Sequence, residues 1–167
     1  IALTASVSFA QPYPSKPIRW IVPYTPGGIT DNVTRMVTAK VQAALGQSIV
    51  VENKPGANSI IGVDMASKAP ADGYTVVTVI AAHAANATLY QGRLPFDPVK
   101  SLVPVSLAAV APLILTANNA FPAKDVRELI AYAKANPGKV SFGSSGVGAA
   151  AHLTTELLKQ TAGIDMT

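Results

Sequence analysis

The sequence predicts an α/β fold built from βαβ units around a parallel sheet, organised in two lobes of which the second is incomplete. Three observations predict it. Short β-branched runs alternate with segments of helical period. A strand, a glycine loop and a helix follow one another once in each half of the chain. Between the halves, Leu94 to Pro104 holds three prolines and no periodicity, the pattern of a crossing from one lobe to the next. With 167 residues, 49% of them hydrophobic and 13% charged, the chain is long and apolar enough to bury a core, which excludes disorder for its bulk.

The elements follow in order. Ile18 to Val22 is a β-branched run stopped by Pro23, and reads as a buried strand. Pro23 to Ile29 is loop, because two prolines and a Gly-Gly pair disfavour regular structure. From about Thr30 the apolar residues Val33, Met36, Val37, Val41, Ala44 and Leu45 fall on one helical face, with Gly46 as the stop. Ile49 to Val51 reads as a second strand, Lys54 to Ser59 as a second glycine-containing loop, Ile60 to Lys68 as a helix, and Tyr74 to Ile80 as a third strand. Beyond the crossing, Val105 to Ala111 and Leu113 to Ala117 are strand-like, and Asp125 with Glu128 forms a capping box for a helix faced by Val126, Leu129, Ile130 and Ala133. Val140 to Phe142 is a short strand, Gly143 to Gly148 a loop, and Ala149 to Thr161 a helix with Leu153, Leu157 and Leu158 inward. The chain reaches Thr167 directly after this helix, where a βαβ unit needs its next strand.

Composition excludes several function classes. Thirteen Lys+Arg against nine Asp+Glu give a net charge of +4, but the basic residues are scattered and not interleaved with aromatics, so no nucleic-acid partner is expected. Zero cysteines remove disulfides and thiolate chemistry, and two histidines, His83 and His152, cannot build a multi-histidine metal site. The longest apolar stretch, Ser106 to Ala117, is divided by Pro112 and falls short of a membrane span, so the protein is not expected to be membrane-embedded. Ile1 to Ala10 is apolar, rich in small residues and followed at Gln11 by a proline-rich stretch, the pattern of the back half of a secretory signal peptide. The expected division is therefore a signal remnant at 1–10, the first part of lobe 1 at 11–100 and the first part of lobe 2 at 101–167.

The two glycine loops are the strongest chemical features. At the carboxyl ends of parallel strands, such loops lead into helices whose first amides are free and whose dipole is positive, a geometry that binds anions. Glycines let backbone approach a ligand, and Thr25, Thr30, Ser144 and Ser145 add neutral hydroxyl donors. Neither loop carries Lys or Arg, so main-chain donors must neutralise an anion; Arg35 and Lys159, a turn or more away, are not expected to matter. Asp31 is accounted for by complementarity to the helix dipole. The rival reading is a nucleotide-cofactor-binding enzyme domain, because Gly146-Val147-Gly148-Ala149-Ala150-Ala151 fits the Gly-x-Gly-x-x-Ala fingerprint. The acid that should follow at the end of a next strand is absent, Asp165 being the nearest.

Five segments in register, Pro23-Tyr24-Thr25-Pro26-Gly27-Gly28-Ile29-Thr30-Asp31, Val51 to Ala57, Ala69 to Thr75, Leu94 to Pro98 and Phe142 to Gly146 through His152-Leu153, resemble the Bug/TctC family of solute receptors of tripartite tricarboxylate transporters. The resemblance runs from about Tyr13 to Thr167. It implies a two-lobed periplasmic-binding-protein-like fold of the type II style, the N-terminal part of such a receptor. It also implies a small organic carboxylate in the interlobe cleft, with transporter subunits or a sensor protein as partners, a periplasmic location, no cofactor and no catalysis. Carried onto this chain, the implied contacts are Thr25, Gly27, Gly28, Thr30, Ala82 and His83 from the first lobe and Ser144, Ser145, Gly146 and Ala149 from the second. Ile29, His83 and Ala149 depart from the residues usual in the family; at Ala149 a hydroxyl is lost and only the amide remains.

Overall fold

Ile18–Val22 forms β1, the central strand of a three-stranded parallel sheet of order β2-β1-β3, in a computed structural model that describes residues 12–144 and 146–167. The signal-peptide segment before Pro12 and the Ser145 contact lie outside the described residues. The chain divides into two compact units, one ending at Thr78 and one opening at Val79.

In the first unit, β1 is flanked by β2 (Ile49–Asn53) and β3 (Thr75–Val77). The register sets Val22 opposite Asn53 and Ile21 opposite Val77, so the carboxyl ends of the strands are nearly level and their loops leave from one edge. β-Branched side chains suit a strand covered on both faces, and Ile18, Ile21 and Val22 are buried. Helix α1 (Ile29–Leu45) ends at Gly46 as expected. Its buried face differs from the predicted one: Thr30, Asp31, Thr34 and Thr38 face inward, Val33, Val37 and Val41 are half-buried, and Met36, Ala44 and Leu45 are exposed. Hydroxyls tolerate burial when they are bonded. Thr34 Oγ1 donates to Thr78 Oγ1 at 3.0 Å, Trp20 Nε1 donates to the same oxygen at 2.8 Å, and Thr38 Oγ1 donates to the Arg35 carbonyl. Helix α2 (Ile60–Ser67) comes close to the end of β1, where a Cβ on Gly62 would stand 2.6 Å from Pro23 Cβ.

In the second unit, α3 (Ala81–Leu89) was not foreseen in the sequence, although its alanine content favours helix. Helix α4 (Val126–Ala135) starts as predicted: Asp125 Oδ1 accepts the Glu128 amide at 2.9 Å, while Glu128 Oε2 accepts the Lys124 amide. Leu129, Ala133, Val140, Ile164 and Met166 form the core, with Phe121, Ile130, Tyr132 and Leu158 packed against it. Helix α5 (Ala150–Ala162) turns Leu158 toward this core, but Leu153 and Leu157 are exposed, contrary to expectation. The strand expected to be missing after α5 is already begun. Met166 forms a parallel bridge with Val140, and the Phe142 and Thr167 amides bond to Thr167 and Val140 carbonyls at 2.8 and 2.9 Å.

The strands expected at 105–111 and 113–117 do not form; Val105, Leu107, Val110 and Ile114 lie outside regular structure and are exposed. Strand propensity describes how a side chain suits a paired, half-covered surface, and no ladder partner stands beside this stretch among the described residues. No helix among the described residues is long and apolar enough to cross a membrane.

Candidate functional site

Each unit leads one helix from the same turn. In Thr25-Pro26-Gly27-Gly28, the Gly28 amide donates to the Thr25 carbonyl at a long 3.5 Å and Gly27 sits at φ 78°, a type II turn with proline second and glycine third. Gly28, at φ −70° and ψ 167°, then caps α1, and the Asn32 amide bonds its carbonyl at 2.9 Å. The second unit repeats this in Gly146-Val147-Gly148-Ala149. There the Ala149 amide donates to Gly146 at 3.1 Å, Gly148 has φ 79°, and Ala149 caps α5 at φ −69° and ψ 157°. No side chain caps either helix, in contrast to α4. The first-turn amides Ile29 to Asp31 and Ala150 to His152 therefore have no intrahelical acceptor, and each set lies at the positive end of a helix dipole.

Asp31, only 2% exposed, ties the first turn down. Its Oδ2 accepts the Gly27 amide at 2.9 Å, its Oδ1 accepts Asn53 Nδ2 at 2.9 Å, and Arg35 Nε reaches both oxygens at 3.1 and 3.0 Å. Arg35 Nη2 donates to Asn53 Oδ1, and Asn53 Nδ2 also donates to the Tyr24 carbonyl. The Arg35 guanidinium, followed by the Gly27 and Asn53 donors, holds the Asp31 carboxyl down to about 2. Arg35, Asn53 and the Tyr24 carbonyl were missed in the sequence reading. The Asp31–Arg35 spacing of four along a helix was the available signal.

The residues implied by resemblance fall as follows. Thr25 and Gly27 are exposed, Gly28 half-buried and Thr30 buried. The Gly27 and Gly28 amides are engaged inside the turn, and so is the Ala149 amide, so the free donors lie one or two residues further on, at Ile29, Thr30, Ala150 and Ala151. Ser144 and Gly146 are exposed, and Ser144 Oγ accepts the Gly146 amide at 3.4 Å. Ala82 is 1% exposed in the first turn of α3. His83 is held by its own unit: Nε2 donates to the Pro98 carbonyl at 2.9 Å, and the ring stacks on Phe96.

Asp165, the acid nearest the Gly146-x-Gly148 fingerprint, directly precedes the Val140–Met166 bridge, where its carbonyl accepts the Gly138 amide at 3.3 Å, whereas the glycine turn follows the neighbouring Val140 to Phe142 segment.

Residues 33–167 match the model of the tripartite tricarboxylate transporter family receptor, TctC. Protein BugT of Bordetella pertussis is 40% identical over 162 residues, covering 96% of this chain and 49% of its own length. Two solved structures share the fold. MatC from Rhodopseudomonas palustris with bound malate is 30% identical with a TM-score of 0.78, over 93% of this chain and 53% of that one. A second R. palustris protein, with adipate, is 31% identical with a TM-score of 0.75, over 93% and 52%. The chain spans about half the length of the curated relatives it matches. Fold and family match agree, and the chain belongs to the TctC family of tripartite tricarboxylate transporter receptors.

Proposed function

We propose that this chain is part of a periplasmic receptor that captures a small organic carboxylate by main-chain donors and passes it to transporter subunits or a sensor protein, without catalysing a reaction. The observation that carries the reading is the pair of type II turns, each leading an uncapped helix, with no Lys or Arg in either turn. Such turns present amides at the positive end of a dipole, where a carboxylate is neutralised by several hydrogen bonds of roughly 1.5–3 kcal/mol each. The malate and adipate in the two R. palustris structures are ligands of this chemistry, and the family's association with tricarboxylate transport agrees with it. Thr25, Thr30, Ser144, Ser145 and Gly146 are the proposed neighbours of the ligand, with the amides of Ile29 and Ala150 added. Ala82 and His83 complete the proposed set.

A melting series on the receptor that carries this chain tests the reading. Malate, adipate or another di- or tricarboxylate at about 100-fold its dissociation constant should stabilise the fold by roughly 2.7 kcal/mol, and nicotinamide nucleotides should not. Stabilisation by NADH with none by any carboxylate would overturn it.

A further inference from the structure

We propose that Asp31 is a positioning residue of the carboxylate site: its buried side chain pins the β1–α1 turn to the end of β2 and, paired with Arg35, does so without placing net charge beside the incoming anion. The inference rests on the reading of the turn as a ligand site. Three observations carry it.

Side chains from two elements converge on the backbone of the turn. Asp31 takes the Gly27 amide, Asn32 Nδ2 donates to the Gly27 carbonyl at 3.1 Å, and Asn53, at the carboxyl end of β2, donates to the Tyr24 carbonyl at 3.1 Å. Asn53 and Arg35 also bond each other at 3.0 Å, which closes the ring of contacts around the carboxylate. The turn that leads into the Ile29 and Thr30 amides is thus held by side-chain contacts from α1 and β2. A carboxylate within one helical turn of an anion site would ordinarily repel the ligand, and the Arg35 guanidinium, whose Nε–H is shared between both oxygens, offsets that charge where it stands. The equivalent position in the second unit supplies the contrast: His152 is the third residue of α5, as Asp31 is of α1, and its Nδ1 is buried with no hydrogen-bond partner. The clamp belongs to the first turn alone.

The test pairs two readouts on the receptor that carries this chain, for wild type and Asp31→Asn: the dissociation constants of malate and adipate by calorimetry, and hydrogen exchange of the Gly27 amide by NMR. The amide substitution keeps the shape but sets a donor group against the Gly27 amide and the Arg35 guanidinium. The expected result is at least tenfold weaker binding together with at least tenfold faster exchange at Gly27. Unchanged affinity overturns the proposal, and so does weakened affinity with unchanged exchange, because the effect would then bypass the turn. If wild type binds neither carboxylate, the receptor reading fails on its own account, and the exchange rate decides the positioning role, unchanged exchange overturning it. Should Asp31→Asn not fold, Asn53→Ala removes the other arm and leaves the Asp31–Arg35 ion pair in place. It should weaken binding and speed Gly27 exchange three- to tenfold, and wild-type values for it would equally overturn the proposal.

Discussion

Asp31 shows how one residue carries more structural duty than its sequence context suggests. Dipole complementarity explains an acid in a first turn, but not why the side chain is buried; three donors making four contacts to its two oxygens do. The folded carboxyl, at about 2, lies below the unfolded value of about 3.9, so its contribution to stability is complete above that unfolded value and is lost as pH falls toward 2. Glu52, held down by Arg19, and Asp72, held down by the Tyr74 amide and Lys16, add acid sensitivity of the same sign. The comparison of wild type with Asp31→Asn isolates the one group. Urea unfolding between pH 2 and 6 should show wild type more stable above pH 4 and the gap closing near pH 2; a gap that stays constant down to pH 2 would contradict this account. The sequence carried the Asp31–Arg35 spacing but not Asn53, because a side chain at a strand's end meets the neighbouring loop only once the parallel register is set.

At the level of elements, legibility followed locality. β1 and α2 were readable from β-branching, helical period and glycine or proline stops, and the Asp125 cap of α4 from its spacing to Glu128. These signals act within a few residues. The inward face of α1 was misread because periodicity registers hydrophobicity, whereas burial of its threonines depends on partners for their hydroxyls, Thr78 beyond β3 for Thr34 and the Arg35 carbonyl for Thr38. The strands expected at 105–117 failed for the complementary reason: their residues favour pairing, and pairing is a property of two segments. Gly62 is a site where contact between elements decides the residue. A Cβ there would meet Pro23 Cβ at 2.6 Å and the Lys54 carbonyl oxygen at 2.8 Å, both rigid groups, although a helix interior otherwise favours alanine. Gly62→Ala should therefore destabilise the receptor by roughly 1–3 kcal/mol, as overpacking does, read from the midpoint of urea unfolding. A variant as stable as wild type or more so would show that α2 does not need this approach.

For the whole molecule, the claim is that a carboxylate is held by backbone at two helix N-termini and not by cationic side chains. Gly28 is the cleanest probe of it. Its φ of −70° is open to any residue, and an added Cβ meets only the Thr25 carbonyl oxygen at 3.4 Å, so valine there fills the approach to the first-turn amides without straining the turn. Gly146, at φ 126°, would confuse crowding with strain. Lys159, in the last turn of α5 and paired with Glu156, serves as the cationic control. Calorimetric titration of malate and adipate into the receptor that carries this chain, as wild type, Gly28→Val and Lys159→Ala, tests the claim most directly. The account predicts binding of at least one of the two by wild type near micromolar affinity, about −8 kcal/mol, the same within twofold for Lys159→Ala, and no measurable binding for Gly28→Val. Normal binding by Gly28→Val with loss in Lys159→Ala would contradict it.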